Sequence, residues 1–154
     1  MCIRDRLTIA SPDMGGSKRA YAYSRFLESN VVICYKQRKK ANVISHMELI
    51  GDVTDKNVII VDDMVDTAGT LTKAADLMIE NGAKSVRAIC THGLFSSNAY
   101  ERINNSKLTE VVVTDTILKK HNSEKIKVIT TAEIFANTID AVMKKKSITK
   151  NFLI

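Results

Sequence analysis

The runs VIIV (58–61) and EVVV (110–113) lack the alternation of apolar and polar residues that a half-solvated strand requires. Strands of this kind belong to a mostly parallel sheet whose two faces are both covered by helices. The rest of the chain fits that demand. LTIA (7–10) precedes the helix-like GSKRAYAYSRFLES, and NVVICY (30–35) precedes a basic loop. HMELIGDV (46–53) supplies a short strand, and NVIIV (57–61) leads into a helix with Leu71, Ala74, Ala75 and Met78 at helical spacing and Gly82 at its C-terminal cap. SVRAIC (85–90), a short NAYERINN helix, LTEVVVTDTI (108–117) and KIKVIT (125–130) continue the series. A last helix is expected to open on a capping box of Thr130 and Glu133 and to present Ile134, Phe135, Ile139 and Val142 as its apolar face. The expected fold is one α/β domain with a mostly parallel sheet flanked by helices.

Charge and cysteine content narrow the function. The net charge is +6, yet four Phe, four Tyr and no Trp provide no interleaving of aromatic and basic residues, so no nucleic-acid partner is expected. Basic residues gather at Lys36, Arg38, Lys39, Lys40 and at Lys144–Lys146, which suits a small polyanion or a solvated surface. No stretch has the apolar length of a membrane span, and no signal-peptide pattern is present. Cys2, Cys34 and Cys90 show no CxxC spacing and read as free thiols of a reducing, cytoplasmic compartment. The charged MCIRDR start precedes only about four residues of strand, which reads as a truncation junction or foreign scar over residues 1–6.

Chemistry-bearing residues follow four of these strands: Asp13, Lys36, Asp62 with Asp63, and His92. In open α/β sheets that is the ligand-binding edge. The densest cluster is VDDMVDTAGT (61–70). Its small residues let backbone N–H groups approach an anion at a helix N-terminus, with Thr67 and Thr70 adding hydroxyl donors. There is no GxxxxGK[ST] loop. The carboxylates alongside suit vicinal hydroxyls, so the combination describes a sugar phosphate. The competing role is structural, with Asp66 or Thr67 capping the helix and Asp62 and Asp63 as solvated strand-end charges.

VDDMVDTAGT resembles the phosphoribosyl-pyrophosphate loop of the type I phosphoribosyltransferase fold. Among proteins of that fold, SPDMGGSKRA (11–20), YKQRKKAN (35–42), THGLFS (91–96), ERINNS (101–106) and SITKNF (147–152) are similar to segments of ribose-phosphate diphosphokinases, the phosphoribosyl pyrophosphate synthetases. The resemblance runs in order from residue 7 to the C-terminus. It implies a C-terminal phosphoribosyltransferase-like domain over 7–154, the half of such enzymes that binds ribose 5-phosphate, with most of the ATP pocket in the other half.

By that resemblance Arg38, Asp62, Asp66, Thr67, Ala68, Gly69 and Thr70 bind ribose 5-phosphate, and Lys36 and Arg38 are catalytic. Asp13 is a Mg²⁺ ligand, and Ser147 and Thr149 fall at an allosteric site. Assembly as dimers building a hexamer is implied as well. The reaction implied is pyrophosphate transfer from ATP to the 1-hydroxyl of ribose 5-phosphate, which asks for positioning and charge stabilisation more than covalent help. Two other readings stay open: a phosphoribosyltransferase, and a synthetase-associated regulatory subunit without activity. Retention of Lys36, Arg38, Asp62 and Asp66 favours the synthetase.

Overall fold

The computed structural model describes residues 6–40, 43–118 and 121–149, and the side chains of 37–40 and 43–46 lie outside that description. Residues 1–5 are also outside it, and with them Cys2 and nearly all of the proposed junction. The apolar runs form β1 (Leu7–Ser11), β2 (Asn30–Lys40), β3 (Val43–Ile50), β4 (Asn57–Val65), β5 (Ser85–Gly93), β6 (Glu110–Thr114) and β7 (Ile126–Ile129). They make one sheet in the order β3-β2-β1-β4-β5-β6-β7. All neighbours are parallel except β2 and β3, so the mostly parallel sheet is present with one antiparallel edge.

Both faces carry helices, but unequally. Val58 and Ile60 of β4, Val86 and Ala88 of β5, and Val111 and Val113 of β6 are buried in one core with α2 (Gly69–Glu80) and α3 (Ala99–Asn105). On the opposite face the buried hydrophobic cluster is smaller, Ile9 and Val61 with Ala20 of α1 (Ser17–Phe26), and Tyr23, Val31 and Ile59 pack around it. The end of α2 is closed as its sequence predicts. Gly82 takes φ +90°, and the amides of Gly82 and Ala83 donate to the carbonyls of Ile79 and Met78, both at 3.0 Å. Cys34 and Cys90 are buried free thiols, pushed up by burial to about 11 and about 12.

Two expectations need correction. The basic residues 36–40 are not a loop: β2 runs on to Lys40, with Lys36 opposite Met47 and Arg38 opposite Ile44 of β3, while Ala41 and Asn42 lie outside the described residues. Pairing with β3 engages the backbone there, with register shifts after Gln37 and Arg38, and this end of β2 lies beyond its pairing with β1, where charge is tolerated. The capping box of the last helix, α4 (Ala132–Met143), does not form. Instead Asp115 Oδ1 accepts from the Thr131 amide at 2.9 Å and its hydroxyl at 2.7 Å, and hydrogen bonds from Thr130 and Thr131 hold the Asp115 carboxyl down at about 2. The apolar face of α4 forms with the expected residues and is exposed: Ile134, Phe135, Ile139 and Val142 keep 57–62% of their surface in solvent. The amphipathic pattern is real, but no other element of the described chain packs over it.

The strand order positions the site. From β1 the chain moves outward to β2 and β3, then returns to dock β4 on the other side of β1. The reversal opens a crevice beyond the carboxyl ends of β1 and β4, where ligands of open α/β sheets bind.

Candidate functional site

Asp13 follows β1 into that crevice. A 3-10 turn, Met14–Gly16, holds it, with Asp13 Oδ1 accepting from the Gly16 amide at 3.2 Å. Gly16 is required by space, because a Cβ there would lie 2.6 Å from Ser11 Oγ. The other carboxylate oxygen, Oδ2, takes the Lys36 ammonium at 2.5 Å. Burial pushes the Asp13 carboxyl up, but Lys36 and the amides of Gly16 and Gly15 outweigh that and leave it below the ordinary carboxylate range.

Across the switch point β4 continues further than its apolar run. Asp62 and Asp63 belong to the strand itself, which ends at Val65, rather than standing beyond its end. Burial, reinforced by the neighbouring Asp63 and by Asp13, pushes the Asp62 carboxyl up to about 6. Asp63 moves the other way: its contact with Asp62 and the charge of Arg19 draw it below the usual range. Arg19 of α1 bridges the two, with Nη1 3.2 Å from Asp62 and Nη2 3.2 Å from Asp63.

The loop after β4 enters α2 in an unusual way. Ala68 stands at the N-cap with φ +60°, ψ 3°, and no side chain caps the helix. A left-handed alanine costs about 1 kcal/mol, and such residues cluster where a ligand is held. Asp66 and Thr67 therefore do not cap α2. Asp66 instead accepts a short hydrogen bond from the Ser96 hydroxyl, in the segment after β5. Arg102 of α3 donates from Nη1 to the Thr67 carbonyl at 2.9 Å.

The result is a cleft of about 160 Å³ lined by Asp13, Asp62, Met64 and the run Val65–Leu71. Asp13, Asp62 and the Asp66–Thr70 loop are thus brought together, and Lys36 joins them through Asp13. Arg38 lies on β2, but its side chain is outside the described residues. Ser147 and Thr149 sit past the end of α4, share a 2.9 Å hydroxyl contact and do not line the cleft. His92 is engaged with Thr116 at 2.9 Å, consistent with a structural role. Arg19, Ser96 and Arg102 were not singled out from sequence. Each lies in a segment that carried the resemblance (SPDMGGSKRA, THGLFS, ERINNS), which was the available signal.

A parallel sheet with an acidic strand end and a small-residue loop at its switch point defines a domain of the type I phosphoribosyltransferase fold. Solved structures agree. The phosphoribosylpyrophosphate synthetase from Mycobacterium smegmatis superposes with a TM-score of 0.82 at 32% identity, covering 92% of this chain and 47% of that one. Orotate phosphoribosyltransferase from Aeropyrum pernix, at TM-score 0.55 and 16% identity over 88% of this chain and 65% of its own, shares the fold alone.

The chain belongs to the phosphoribosyl synthetase-associated domain family, whose profile matches residues 10–153. Among its relatives, the ribose-phosphate pyrophosphokinase of Porphyromonas gingivalis is 51% identical over 94% of this chain and 46% of its own length. Ribose-phosphate pyrophosphokinase 3 of Saccharomyces cerevisiae is 48% identical over 94% and 46%. The chain spans about half the length of the curated relatives it matches. No helix among the described residues is long and apolar enough to cross a membrane.

Proposed function

We propose that this chain is the ribose 5-phosphate-binding part of a ribose-phosphate pyrophosphokinase, which transfers pyrophosphate from ATP to the sugar's 1-hydroxyl. The observation that carries this reading is the uncapped helix entry at Ala68 facing Asp62 and Asp13 across one small cleft. The Asp66–Thr70 amides and the Thr67 and Thr70 hydroxyls take the 5-phosphate, and Asp62 accepts from the ribose hydroxyls. Lys36 and Arg38 stabilise charge on the transferred group.

The donor chemistry suits Mg²⁺. Among the described residues no trio of His, Cys, Asp or Glu could hold a metal unaided. Asp13, though, offers the single hard carboxylate that magnesium combines with phosphate oxygens and water. Bound there, the ion would neutralise phosphate charge. ATP as second substrate, dimers assembling to a hexamer, a cytoplasmic location and an allosteric contribution from Ser147 and Thr149 are part of the same proposal. So is placement of the chain in the C-terminal half of the longer relatives, which rests on the resemblance of SITKNF to the family's closing segment. The coding sequence upstream of residue 7 tests that placement, and its first six codons test the junction.

The central test is calorimetric titration of ribose 5-phosphate with magnesium present. Saturable binding that falls at least tenfold in both Asp62→Ala and Asp66→Ala is the expected result. Undetectable binding by folded protein, or equal binding by the variants, overturns the reading.

A further inference from the structure

The loop's backbone is held from behind by the segment that follows β5. The Val65 carbonyl accepts from the amides of Leu94 at 2.9 Å and Phe95 at 3.3 Å, and the Asp66 carbonyl accepts from the Ser96 amide at 3.1 Å. The Thr67 carbonyl accepts from Arg102 Nη1 at 2.9 Å. Three successive carbonyls are therefore drawn to one side. In a trans peptide the C=O and the following N–H point in opposite directions, and no peptide among the described residues is cis. Drawing the carbonyls of residues 65, 66 and 67 toward the β5–α3 side turns the amides of 66, 67 and 68 away from it. Successive amides that converge in this way form an anion-binding concavity.

Among the described residues, only the Thr67 carbonyl of the three is held by a side chain, and Arg102 is exposed, on a helix of another segment. No carboxylate pairs with it among the described residues. Its guanidinium also lies close behind the loop, since a Cβ on Gly69 would be 3.5 Å from Nη1. We propose that Arg102 is a positioning residue: by holding the Thr67 carbonyl it fixes the left-handed Ala68 turn and aims the Ala68 amide at the phosphate. The inference rests on the sugar-phosphate reading above but assigns a residue that contacts the backbone rather than the ligand.

The test compares Arg102→Ala, Arg102→Gln and Arg102→Lys in the full chain, by titration with ribose 5-phosphate and by the NMR shift of the Ala68 amide on adding inorganic phosphate. The Ala variant is expected to bind about tenfold more weakly, the loss of one charge-assisted hydrogen bond, with its melting temperature close to wild type. Its Ala68 amide should no longer respond to phosphate. The Gln variant, a neutral donor, is expected to recover much of the affinity and the amide response. Recovery of affinity by Lys without recovery of the Ala68 amide response would mean that charge, not the carbonyl contact, matters, and would overturn the positioning role. Wild-type affinity in Arg102→Ala would also overturn it while leaving the sugar-phosphate reading intact. Absence of binding by wild type removes that reading and this role together. Should the Ala variant fail to fold, an affinity for the folded Gln variant as weak as that expected of the Ala variant rejects the proposal.

Discussion

Lys36 and Asp13 are each other's counterion: Nζ lies 2.5 Å from Oδ2, and the two side chains keep 15% and 30% of their surface exposed. The resemblance gives these residues separate duties, catalysis and metal binding. With Oδ1 accepting from the Gly16 amide, both carboxylate oxygens are engaged, so a metal at Asp13 would share an oxygen with that amide or with Lys36, or displace one of them. Removing one partner leaves a largely buried charge. Asp13→Asn should therefore cost about 2 kcal/mol of stability in urea unfolding at pH 7. The Asp13→Asn, Lys36→Met double variant should cost less than the sum of the single ones, whereas strict additivity would show that the pair is not coupled.

Asp62 carries a different pH signature. Its carboxyl is raised from 3.8 to about 6, so between those values the folded chain holds a proton that the unfolded chain has lost. The corresponding stability is fully present below 3.8 and is lost as pH rises through about 6. Measured against Asp62→Asn, wild-type stability should decline between those two values and stay level above. Asp63→Asn should shift the decline to lower pH, because Asp63 is one of the groups raising Asp62. A flat difference between wild type and Asp62→Asn contradicts the assigned environment.

The start of α4 depends on Asp115 rather than on Glu133. Asp115 is depressed to about 2, so its contribution is present above 3.8 and is lost as pH falls through about 2. Hydrogen exchange at the first turn of α4 should speed up in Asp115→Ala at neutral pH and stay unchanged in Glu133→Ala. The reverse ranking would restore the capping box.

The exposed face of α4 predicts a contrast between two apolar truncations. Ile60 is fully buried, and Ile60→Ala should cost about 3 kcal/mol. Phe135 keeps 57% of its surface exposed, and Phe135→Ser should change the stability of this chain by no more than about 0.5 kcal/mol. Thermal unfolding of both variants checks this. A large loss at Phe135 would mean that the face is covered in solution.

Local patterns carried the fold because the forces behind them are local. The apolar runs at 58–61 and 111–113 announced doubly covered strands, Gly82 announced the end of α2, and DTAGT announced a loop that backbone amides and hydroxyls could line. Even the basic end of β2 at 36–40, expected as a loop, was legible as a run of charged residues continuing an apolar strand. What the sequence could not contain was which distant residue each of these would meet. Arg19 reaches Asp62 across 43 positions, Arg102 reaches Thr67 across 35, Ser96 reaches Asp66 across 30 and Lys36 reaches Asp13 across 23. Those partnerships exist only because the strand order folds β1, β2, β4 and β5 side by side, and side-chain hydrogen bonds leave no periodicity to read in advance. The same holds for α4, where Asp115, sixteen positions ahead of Thr131, supplied the cap that a local rule assigned to Glu133. Residue chemistry and strand periodicity were properties of the chain; the pairing that turns acidic and basic residues into a site was decided by its tertiary structure.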